Sequence, residues 1–206
     1  MIARGSAGIV VAPAVPMVAI LVGVLVFESM VFALLTIPFA LAFLAFLVFF
    51  RDPPRRIGAG IVSPADGRVL VADPASGRVA IFMGVTNAHV NRAPMAGVVA
   101  TKRYRPGRFA VASSPASEGN ERLEWTFHTD LGTLRLAQVA GIFARRIVPY
   151  LDVGDKVKKG QRIGLVRFGS RVDLVLPPGS RLTAAAGDRV RAGESTIAEV
   201  PDGVGP

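Results

Sequence analysis

The pair Gly169–Ser170 has the clearest chemical potential in the sequence, because it lies between two strand-like runs, LVRF and RVDLVLP. A glycine here is typical of a tight hairpin turn or a bulge. It also suits a self-processing bond, since glycine has no side chain to shield its carbonyl and tolerates strained backbone. Ser170 Oγ would attack that carbonyl, and elimination from the ester would leave dehydroalanine, which hydrolyses to a pyruvoyl group. From these residues alone, both interpretations stay open.

Few other side chains are available for chemistry. The chain contains no cysteine and two histidines, His89 and His128, which excludes thiol nucleophiles, thiolate metal sites and a three-histidine zinc site. No HExxH-type spacing is present, so we expect no metal site. His89 belongs to the pKa class that suits proton transfer near neutral pH, although a lone histidine in a strand is commonly structural. His128 falls in a predicted hairpin turn, FHTDLG, and is expected to be structural or exposed.

Asp66 offers a carboxylate that would orient or activate a serine nucleophile. It lies in the motif PADG, which is equally a good β-turn sequence. Catalytic and turn-forming roles are both open for this residue.

The elements that position these residues are predicted to be mostly β strands. Short apolar runs punctuated by Gly, Pro and Asp indicate strands at Gly67–Val71, Arg78–Met83, Gly97–Thr101, Leu123–His128 and Thr133–Val139. One short helix is predicted around residues 107–112.

An internal repeat supports the β prediction. The segment GDKVKKG at 154–160 recurs as GDRVRAG at 187–193, and each reads as a tight turn, a short strand and a second turn. The pattern resembles the hammerhead turns of biotinyl/lipoyl-like barrel-sandwich domains. The predicted fold is therefore mostly β, with a barrel-sandwich-hybrid-like domain over residues 51–206 preceded by an N-terminal apolar helical hairpin over residues 1–50.

The first 50 residues are predicted to enter a membrane. Their only charged side chains are Arg4 and Glu28, and the apolar runs 8–27 and 30–50 are each near the length that spans a bilayer. Pro13 and Pro16 are expected to break the start of the first run. No clear cleavage site follows, which argues against a signal peptide. Basic residues flank both ends, which favours a hairpin with both ends cytoplasmic over a single span.

The remainder of the chain carries the whole net charge of +9. The basic residues Arg145, Arg146, Lys156, Lys158 and Lys159 form either a solvated face or a surface that attracts anionic lipid, at about 1 kcal/mol per residue near the bilayer. No helix-turn-helix, zinc-finger or RNP-like motif accompanies the charge, so nucleic acid is not an expected partner.

Several motifs occur together in a specific order: FFRDPPR at 49–55, SPADGRV at 63–69, HVNRAP at 89–94, ASEGNER at 116–122, QVAGIFARRI at 138–147 and GDKVKKGQRIGLVRFGSRVD at 154–173. On these motifs the chain resembles the short-form (archaeal and bacterial) pyruvoyl-dependent phosphatidylserine decarboxylases over nearly its whole length. The resemblance implies self-cleavage between Gly169 and Ser170. A β chain (1–169) and an α chain (170–206) would stay associated, and loss of the bond is tolerable if the strands on both sides of it stay paired in one sheet.

The resemblance also implies the reaction. The amine of phosphatidylserine would form an imine with the pyruvoyl group made from Ser170, and carbon dioxide and phosphatidylethanolamine would be released. His89 is expected to protonate the carbon that loses carbon dioxide, and Asp66 to assist self-cleavage. Asn91 and Arg92 are expected to bind substrate.

The chain departs from the longer members of the family at two positions. Arg92 stands where those members have a second histidine, and Asn87 stands where some relatives have Asp. Either His89 serves both self-cleavage and decarboxylation, or Arg92 contributes as a cation. A homo-oligomer at the cytoplasmic face of the cell membrane is expected.

Two other functions compete with the decarboxylase. A membrane-anchored barrel-sandwich adaptor would not be an enzyme, and its chain would stay intact. A metallopeptidase would need more His and Asp ligands than the sequence offers.

Overall fold

The computed structural model describes residues 1–142, 146–167 and 170–200. Contacts between residues divide the chain into two compact units, Met1–Pro53 and Pro54–Pro206. The boundary falls between two consecutive prolines, which have no backbone N–H and continue neither a helix nor a central strand. Each unit has its own architecture.

The first unit is helical and contains α1 (Ala7–Val11), α2 (Ala14–Phe27) and α3 (Met30–Phe49). The predicted break lies at Pro13, which precedes α2, whereas Pro16 is accommodated in the first turn of α2, where a missing N–H costs no intrahelical bond. Glu28 joins the two long helices in a left-handed conformation, with φ 47°, and reverses the chain. The predicted apolar helical pair is confirmed.

The surface of this unit is apolar. The segments Ala7–Phe27 and Met30–Phe49 are long and apolar enough to cross a membrane, with mean hydropathies of 2.8 and 2.7. The helices contact each other closely, because the rings of Phe27 and Phe32 stack with centroids 5.6 Å apart and a Cβ on Gly23 would lie 3.1 Å from the Phe32 ring. Since most of their large side chains point outward, these helices favour a lipid environment.

The second unit is mostly β, as predicted. Its strands in the described residues are β1 (Ile61–Val62), β2 (Gly67–Asp73), β3 (Arg78–Met83), β4 (Val90–Arg92), β5 (Gly97–Arg105), β6 (Arg122–Thr129), β7 (Gly132–Val139), β8 (Ile147–Pro149), β9 (Lys156–Val157), β10 (Arg162–Val166), β11 (Ser170–Val175), β12 (Arg181–Leu182), β13 (Arg189–Val190) and β14 (Thr196–Glu199). All five predicted strands are present.

The strands form one large and two small antiparallel sheets. The large sheet has the order β13-β2-β3-β11-β7-β6-β5-β9, and the small sheets have the orders β1-β14-β12 and β4-β10-β8. Side chains alternate along the strands of the large sheet, and one face carries the buried residues. Those residues and the apolar side chains of the small sheets share a single core that includes Trp125, Leu136, Ile163, Leu174 and Ile197.

The two strands around residues 167–169 lie in different sheets. β10 pairs with β4 and β8, whereas β11 pairs with β3 and β7. The expectation that both sides of the Gly169–Ser170 bond pair in one sheet is therefore wrong. The chain crosses from a small sheet to the large one here, and each side has its own two partner strands.

The repeated turns are related by an internal symmetry that extends to their partners. Gly154 N–H donates to Val99 O and Gly187 N–H to Val69 O, both at 2.8 Å. At the other end of each repeat, Gly160 N–H donates to Ala93 O and Gly193 N–H to Ser63 O, again at 2.8 Å. The segments 61–71 and 91–101 are thus counterparts, as are 154–166 and 187–199.

The counterpart segments also bond to each other reciprocally. Val62 N–H donates to Pro94 O at 3.0 Å, and Arg92 N–H donates to Pro64 O at 2.9 Å. Such reciprocal pairing is what an approximate two-fold axis between the segments produces. It supports the barrel-sandwich architecture that the repeat predicted.

The predicted helix around residues 107–112 is wrong. The backbone at Arg108 pairs with the segment that follows, because Arg108 N–H donates to Gly119 O at 2.8 Å and Glu121 N–H donates to Arg108 O at 3.0 Å. Gly107 permits this approach, since a Cβ there would lie 2.5 Å from the Asn120 backbone. The only helical turn described in this stretch is a short 3-10 helix at Pro115–Gly119.

The internal symmetry predicts matched effects of substitution. Gly154 and Gly187 have φ values of 92° and 101°, so alanine at either position should strain the backbone by about 1–3 kcal/mol. We expect Gly154→Ala and Gly187→Ala to lower the Tm of the detergent-purified protein by similar amounts, measured by thermal unfolding. Gly119→Ala is the control, because Gly119 has no positive φ and a Cβ there meets open space. Equal Tm values for all three variants would contradict the prediction.

Candidate functional site

Ser170 is the first residue of β11 and is fully buried. β11 lies between β3 and β7, so Ser170 stands opposite Met83 at the end of a central strand. Its Oγ lies 4.0 Å from Met83 Sδ. Gly169, the other half of the predicted cleavage site, lies outside the described residues.

A chain of buried polar side chains leads to Ser170. Trp125 Nε1–H donates to Gln138 Oε1 at 2.9 Å, and Gln138 Nε2–H donates to Asn91 Oδ1 at 2.8 Å. Asn91 Nδ2–H in turn donates to Met83 Sδ at 3.4 Å, the sulfur that Ser170 Oγ also approaches. The structure thus brings together Ser170 and Asn91, which was predicted to bind substrate.

The direction of these hydrogen bonds is set by Trp125. An indole N–H only donates, so it must face the amide oxygen of Gln138. The NH₂ group of Gln138 must then face the oxygen of Asn91, which turns the NH₂ group of Asn91 toward Met83 Sδ. An N–H donor whose direction is fixed in this way can bind an oxygen that develops negative charge.

Gly164 makes room for this chain. A Cβ on Gly164 would lie 3.0 Å from Gln138 Nε2 and 2.8 Å from Val148 O. Because both contacts are closer than normal packing allows, a larger residue at 164 would displace Gln138.

His89 is fully buried just before β4. Its Nδ1 lies 2.8 Å from Asn87 O, and because a carbonyl oxygen only accepts, Nδ1 carries the proton. In the neutral ring, Nε2 is then the nitrogen that takes up or releases a proton. Asn87 is held by a turn, since its Oδ1 accepts from Gly84 N–H at 2.9 Å. The backbone of His89 accepts from Val166 N–H at 3.3 Å, at the end of β10 that precedes Ser170.

Asp66 is engaged away from Ser170 by every hydrogen bond described for it. Its two carboxylate oxygens accept from Arg55 Nη2 at 2.9 and 2.7 Å, and Oδ1 also accepts from Ala192 N–H at 2.8 Å. The pair is nearly buried, with side-chain exposures of 8% for Arg55 and 10% for Asp66. Its part in self-cleavage stays a prediction.

Arg92 is buried on β4, and its Nη1 donates to Gly160 O at 3.1 Å. Its side chain also packs on the counterpart turn, because a Cβ on Gly193 would lie 3.1 Å from Arg92 Cδ. Arg92 therefore contacts both repeated turns, and its role toward substrate stays a prediction.

Cationic groups lie close to the predicted cleavage position. Burial and the neighbouring Arg146 lower the pKa of Arg167, which precedes Ser170 by three residues.

Of the basic residues expected to attract lipid, Arg146, Lys156 and Lys158 are exposed and Lys159 is half-buried, while Arg145 lies outside the described residues. His128 is exposed beside the β6–β7 turn, as predicted.

No group of three or more His, Cys, Asp or Glu side chains in the described residues could hold a metal ion. The polar side chains that lead to Ser170 are instead the amides of Gln138 and Asn91. These suit an organic group with acceptor oxygens.

Comparison with known proteins identifies the family. The family model for phosphatidylserine decarboxylase matches residues 42–198. The chain belongs to the phosphatidylserine decarboxylase family. It is 52% identical over 153 residues to the phosphatidylserine decarboxylase proenzyme of Thermobifida fusca, which covers 72% of this chain and 70% of that protein.

Other relatives of the decarboxylase family show similar agreement. The phosphatidylserine decarboxylase proenzyme of Desulfotalea psychrophila is 42% identical over 181 residues, covering 81% of this chain and 85% of the relative. The putative archaetidylserine decarboxylase proenzyme of Methanosarcina mazei is 45% identical over 157 residues, covering 75% of this chain and 74% of the relative.

Several residues of this candidate site were missed by the sequence reasoning. Gln138 had a detectable signal, since it occupies the same face of β7 as Leu134 and Leu136 and is as buried as they are. A polar residue at an inward position predicts a buried hydrogen bond. Met83 and Arg55 had no such signal, because their contacts depend on partners distant in sequence.

The Arg55–Asp66 pair yields a stability prediction. Asp66→Ala should cost up to about 3–5 kcal/mol, because it removes the closer carboxylate from the buried Arg55 guanidinium and leaves it only the longer contact with Glu194, at 3.4 Å. We expect a lower Tm in detergent, measured by thermal unfolding. Asp152→Ala is the control, since Asp152 pairs with Lys102 but its side chain is 83% exposed, and such pairs contribute little. An unchanged Tm for Asp66→Ala would show that the pair is not structural.

Proposed function

We propose that this protein decarboxylates phosphatidylserine to phosphatidylethanolamine and carbon dioxide, using a pyruvoyl group made from its own Ser170. The observation that carries the proposal is the position of Ser170, buried at the start of a central strand, where its Oγ approaches the same Met83 sulfur as the Asn91 amide, in a chain of this family. The relatives that match are named proenzymes, which supports self-processing here.

Self-processing converts a peptide bond into a new terminus. Ser170 Oγ attacks the carbonyl carbon of Gly169, and the amide becomes an ester with the amine of residue 170 freed. Elimination then breaks the Cβ–O bond, releases the carboxylate of residue 169 and leaves dehydroalanine. Hydrolysis of dehydroalanine releases ammonia and leaves the pyruvoyl group at position 170. Asp66 is proposed to assist the attack, either directly or through the turn that it forms.

The strand pairing explains how two fragments stay together. β11, β13 and β14 belong to the residues from Ser170 onward. β11 pairs with β3 and β7, β13 pairs with β2, and β14 pairs with β1. The C-terminal fragment therefore contributes strands to two sheets. Its dissociation would break both sheets and expose the shared core.

The surroundings of Ser170 fit a pyruvoyl group. The oxygens of a ketone and of its adjacent amide only accept hydrogen bonds, and the Asn91 NH₂ group, with its orientation fixed by Gln138, donates toward the Met83 sulfur that Ser170 Oγ also approaches. When formed, the group supplies a ketone that condenses with the substrate amine and accepts the electrons left by decarboxylation.

The chain's own residues then perform three tasks. Asn91 donates to an oxygen near position 170 and holds the reacting group in place. His89 Nε2 delivers the proton that replaces carbon dioxide on the substrate carbon, because Nδ1 is held by Asn87 O. Arg92, and Arg167 beside the site, are cations that attract the carboxylate and phosphate of the headgroup.

The N-terminal helices place the enzyme at its substrate. We propose that they form a membrane hairpin with both ends cytoplasmic, since Arg4 and Arg51 flank it. The exposed basic residues of the second unit would then attract anionic lipid, and the chains would form a homo-oligomer. Cysteine labelling at residues 4 and 28 from each side of a vesicle tests the topology, and light scattering in detergent tests the oligomer.

Replacement of the nucleophile tests self-processing. Wild-type protein should give two fragments, residues 1–169 and a 37-residue fragment 170–206, whose amino terminus is blocked by the ketone. Ser170→Ala should remain a single 206-residue chain without decarboxylase activity, because alanine has no hydroxyl. Intact mass spectrometry and Edman degradation distinguish the two. An intact wild-type chain that is fully active would refute the pyruvoyl proposal.

Replacement of His89 tests the proton donor. We expect His89→Ala to lower kcat by about 10²- to 10⁴-fold per cleaved molecule, with cleaved protein quantified by mass spectrometry and product by phosphatidylethanolamine release. His128→Ala is the matched control, because the other histidine is exposed on β6, and its kcat should match wild type. Cleaved His89→Ala that turns over at the wild-type rate would exclude His89 as the donor.

A further inference from the structure

Arg171, the residue after Ser170, is buried, and both terminal nitrogens of its guanidinium group donate hydrogen bonds. It is 6% exposed. Its Nη1 donates to Ser117 Oγ at 2.6 Å and to Ala112 O at 3.2 Å. Its Nη2 donates to Asp173 Oδ2 at 2.9 Å, and its Nε lies 2.7 Å from Asp173 Oδ1. The charge-assisted hydrogen bond from Nη2 and the close ion pair hold the guanidinium beside the Asp173 carboxylate.

The partners of Arg171 lie on both sides of the proposed cleavage. Asp173 is two residues further along β11, on the same face of the strand. Ser117 and Ala112 belong to the segment 106–121, which is part of the N-terminal fragment. The guanidinium therefore ties the second residue of the C-terminal fragment to the N-terminal fragment.

The anchor on the N-terminal side is itself rigid. Ser117 is fully buried, and its Oγ lies 2.6 Å from Ser114 O. The Asn120 side chain fastens the same segment to the large sheet, because Nδ2 donates to Ala110 O at 2.8 Å and to Ala140 O at 2.7 Å. A segment held at these points is a fixed support for Arg171.

Cleavage changes what holds residue 170 in place. In the intact chain, the peptide bond to residue 169 tethers it. After cleavage it is a chain terminus, and termini fray unless they are tied down. The reactive ketone would then depend on the ladder pairing of β11 and on side-chain anchors close to the terminus.

We infer that Arg171 is a positioning residue, which fastens the new terminus of the cleaved enzyme so that the group derived from Ser170 stays at its site. The inference rests on the proposed function, because it assumes cleavage before Ser170. Loss of Arg171 should therefore impair turnover by the cleaved enzyme more than it impairs the cleavage itself.

The test uses the full chain in mixed micelles of phosphatidylserine and a nonionic detergent. The variant is Arg171→Met, with the cleaved fraction followed by mass spectrometry and phosphatidylethanolamine release measured per cleaved molecule. We expect kcat to fall by about 10- to 100-fold, as small displacements of reacting groups do, with KM and the rate of self-cleavage changed much less.

Further variants separate positioning from loss of stability. Arg171→Met with Asp173→Leu removes both charges, so no buried carboxylate is left unpaired, and it should restore the Tm without restoring kcat. Arg171→Lys keeps a donor and should recover part of the kcat. Arg181→Met is the matched control, because Arg181 also belongs to the C-terminal fragment and pairs with Glu199, but its side chain is 74% exposed.

The outcomes distinguish this inference from the proposed function. Wild-type kcat in cleaved Arg171→Met, or in the double variant, would overturn the positioning role while leaving the decarboxylase proposal intact. A loss of kcat that follows the Tm across all variants would also overturn it. If wild-type protein itself neither cleaves nor releases phosphatidylethanolamine, the proposed function fails instead.

Discussion

The candidate site depends on the pairing of β11 with a neighbour on each edge. β3 pairs with this strand from Ser170 onward and β7 pairs with it from Arg171 onward, so the position of Ser170 is set by its own pairing with Met83 and by a second ladder that begins one residue later. An edge strand would offer only one ladder, and a loop none. Because β10 belongs to a different sheet, a break between the two strands would leave both sets of ladders intact. The proposed cleavage therefore falls where the fold depends least on chain continuity.

Buried polar groups have a cost that only complete hydrogen bonding offsets, and the site uses this constraint to fix direction. The indole N–H of Trp125 can only donate a hydrogen bond, so it fixes the direction in which the amides of Gln138 and Asn91 face. The Asn91 NH₂ group, which donates to the Met83 sulfur near Ser170 Oγ, thus has its direction set by an indole two side chains away. Gly164 leaves the space that the Gln138 side chain occupies, because a Cβ at residue 164 would lie 3.0 Å from Gln138 Nε2.

Sequence patterns predicted the elements of this fold better than their connections. Alternating apolar runs located β2, β3, β5, β6 and β7, and the repeat located both hammerhead turns, because these features depend on neighbours along the chain. The pairing of β10 and β11 in separate sheets was not predictable, since nothing local records which strands become partners. The helix predicted at 107–112 is wrong for the same reason, because the backbone there pairs with residues 119–121. At the site, residue chemistry alone leaves Gly169–Ser170 open as a turn and His89 open as a structural residue, and the family resemblance is what makes Ser170 and His89 candidates. The contact of Asp66 with Arg55 depends on the folded structure.

The internal symmetry bears on whether Asp66 is only a turn former. Its counterpart in the second repeat is Ala96, and the turn there makes the same backbone contacts: Gly97 stands opposite Val157 just as Gly67 stands opposite Val190. The backbone geometry therefore does not require an aspartate. What Asp66 adds is a carboxylate that Arg55 holds and that Ala96 cannot supply. Asp66 lies between β1 and β2, in the half of this symmetric scaffold that does not contain β4 and β10, the strands that lead to the candidate site. A buried charge present in one repeat and absent from the other is explained better by a contact specific to that repeat, the pair with Arg55, than by the turn that both repeats share.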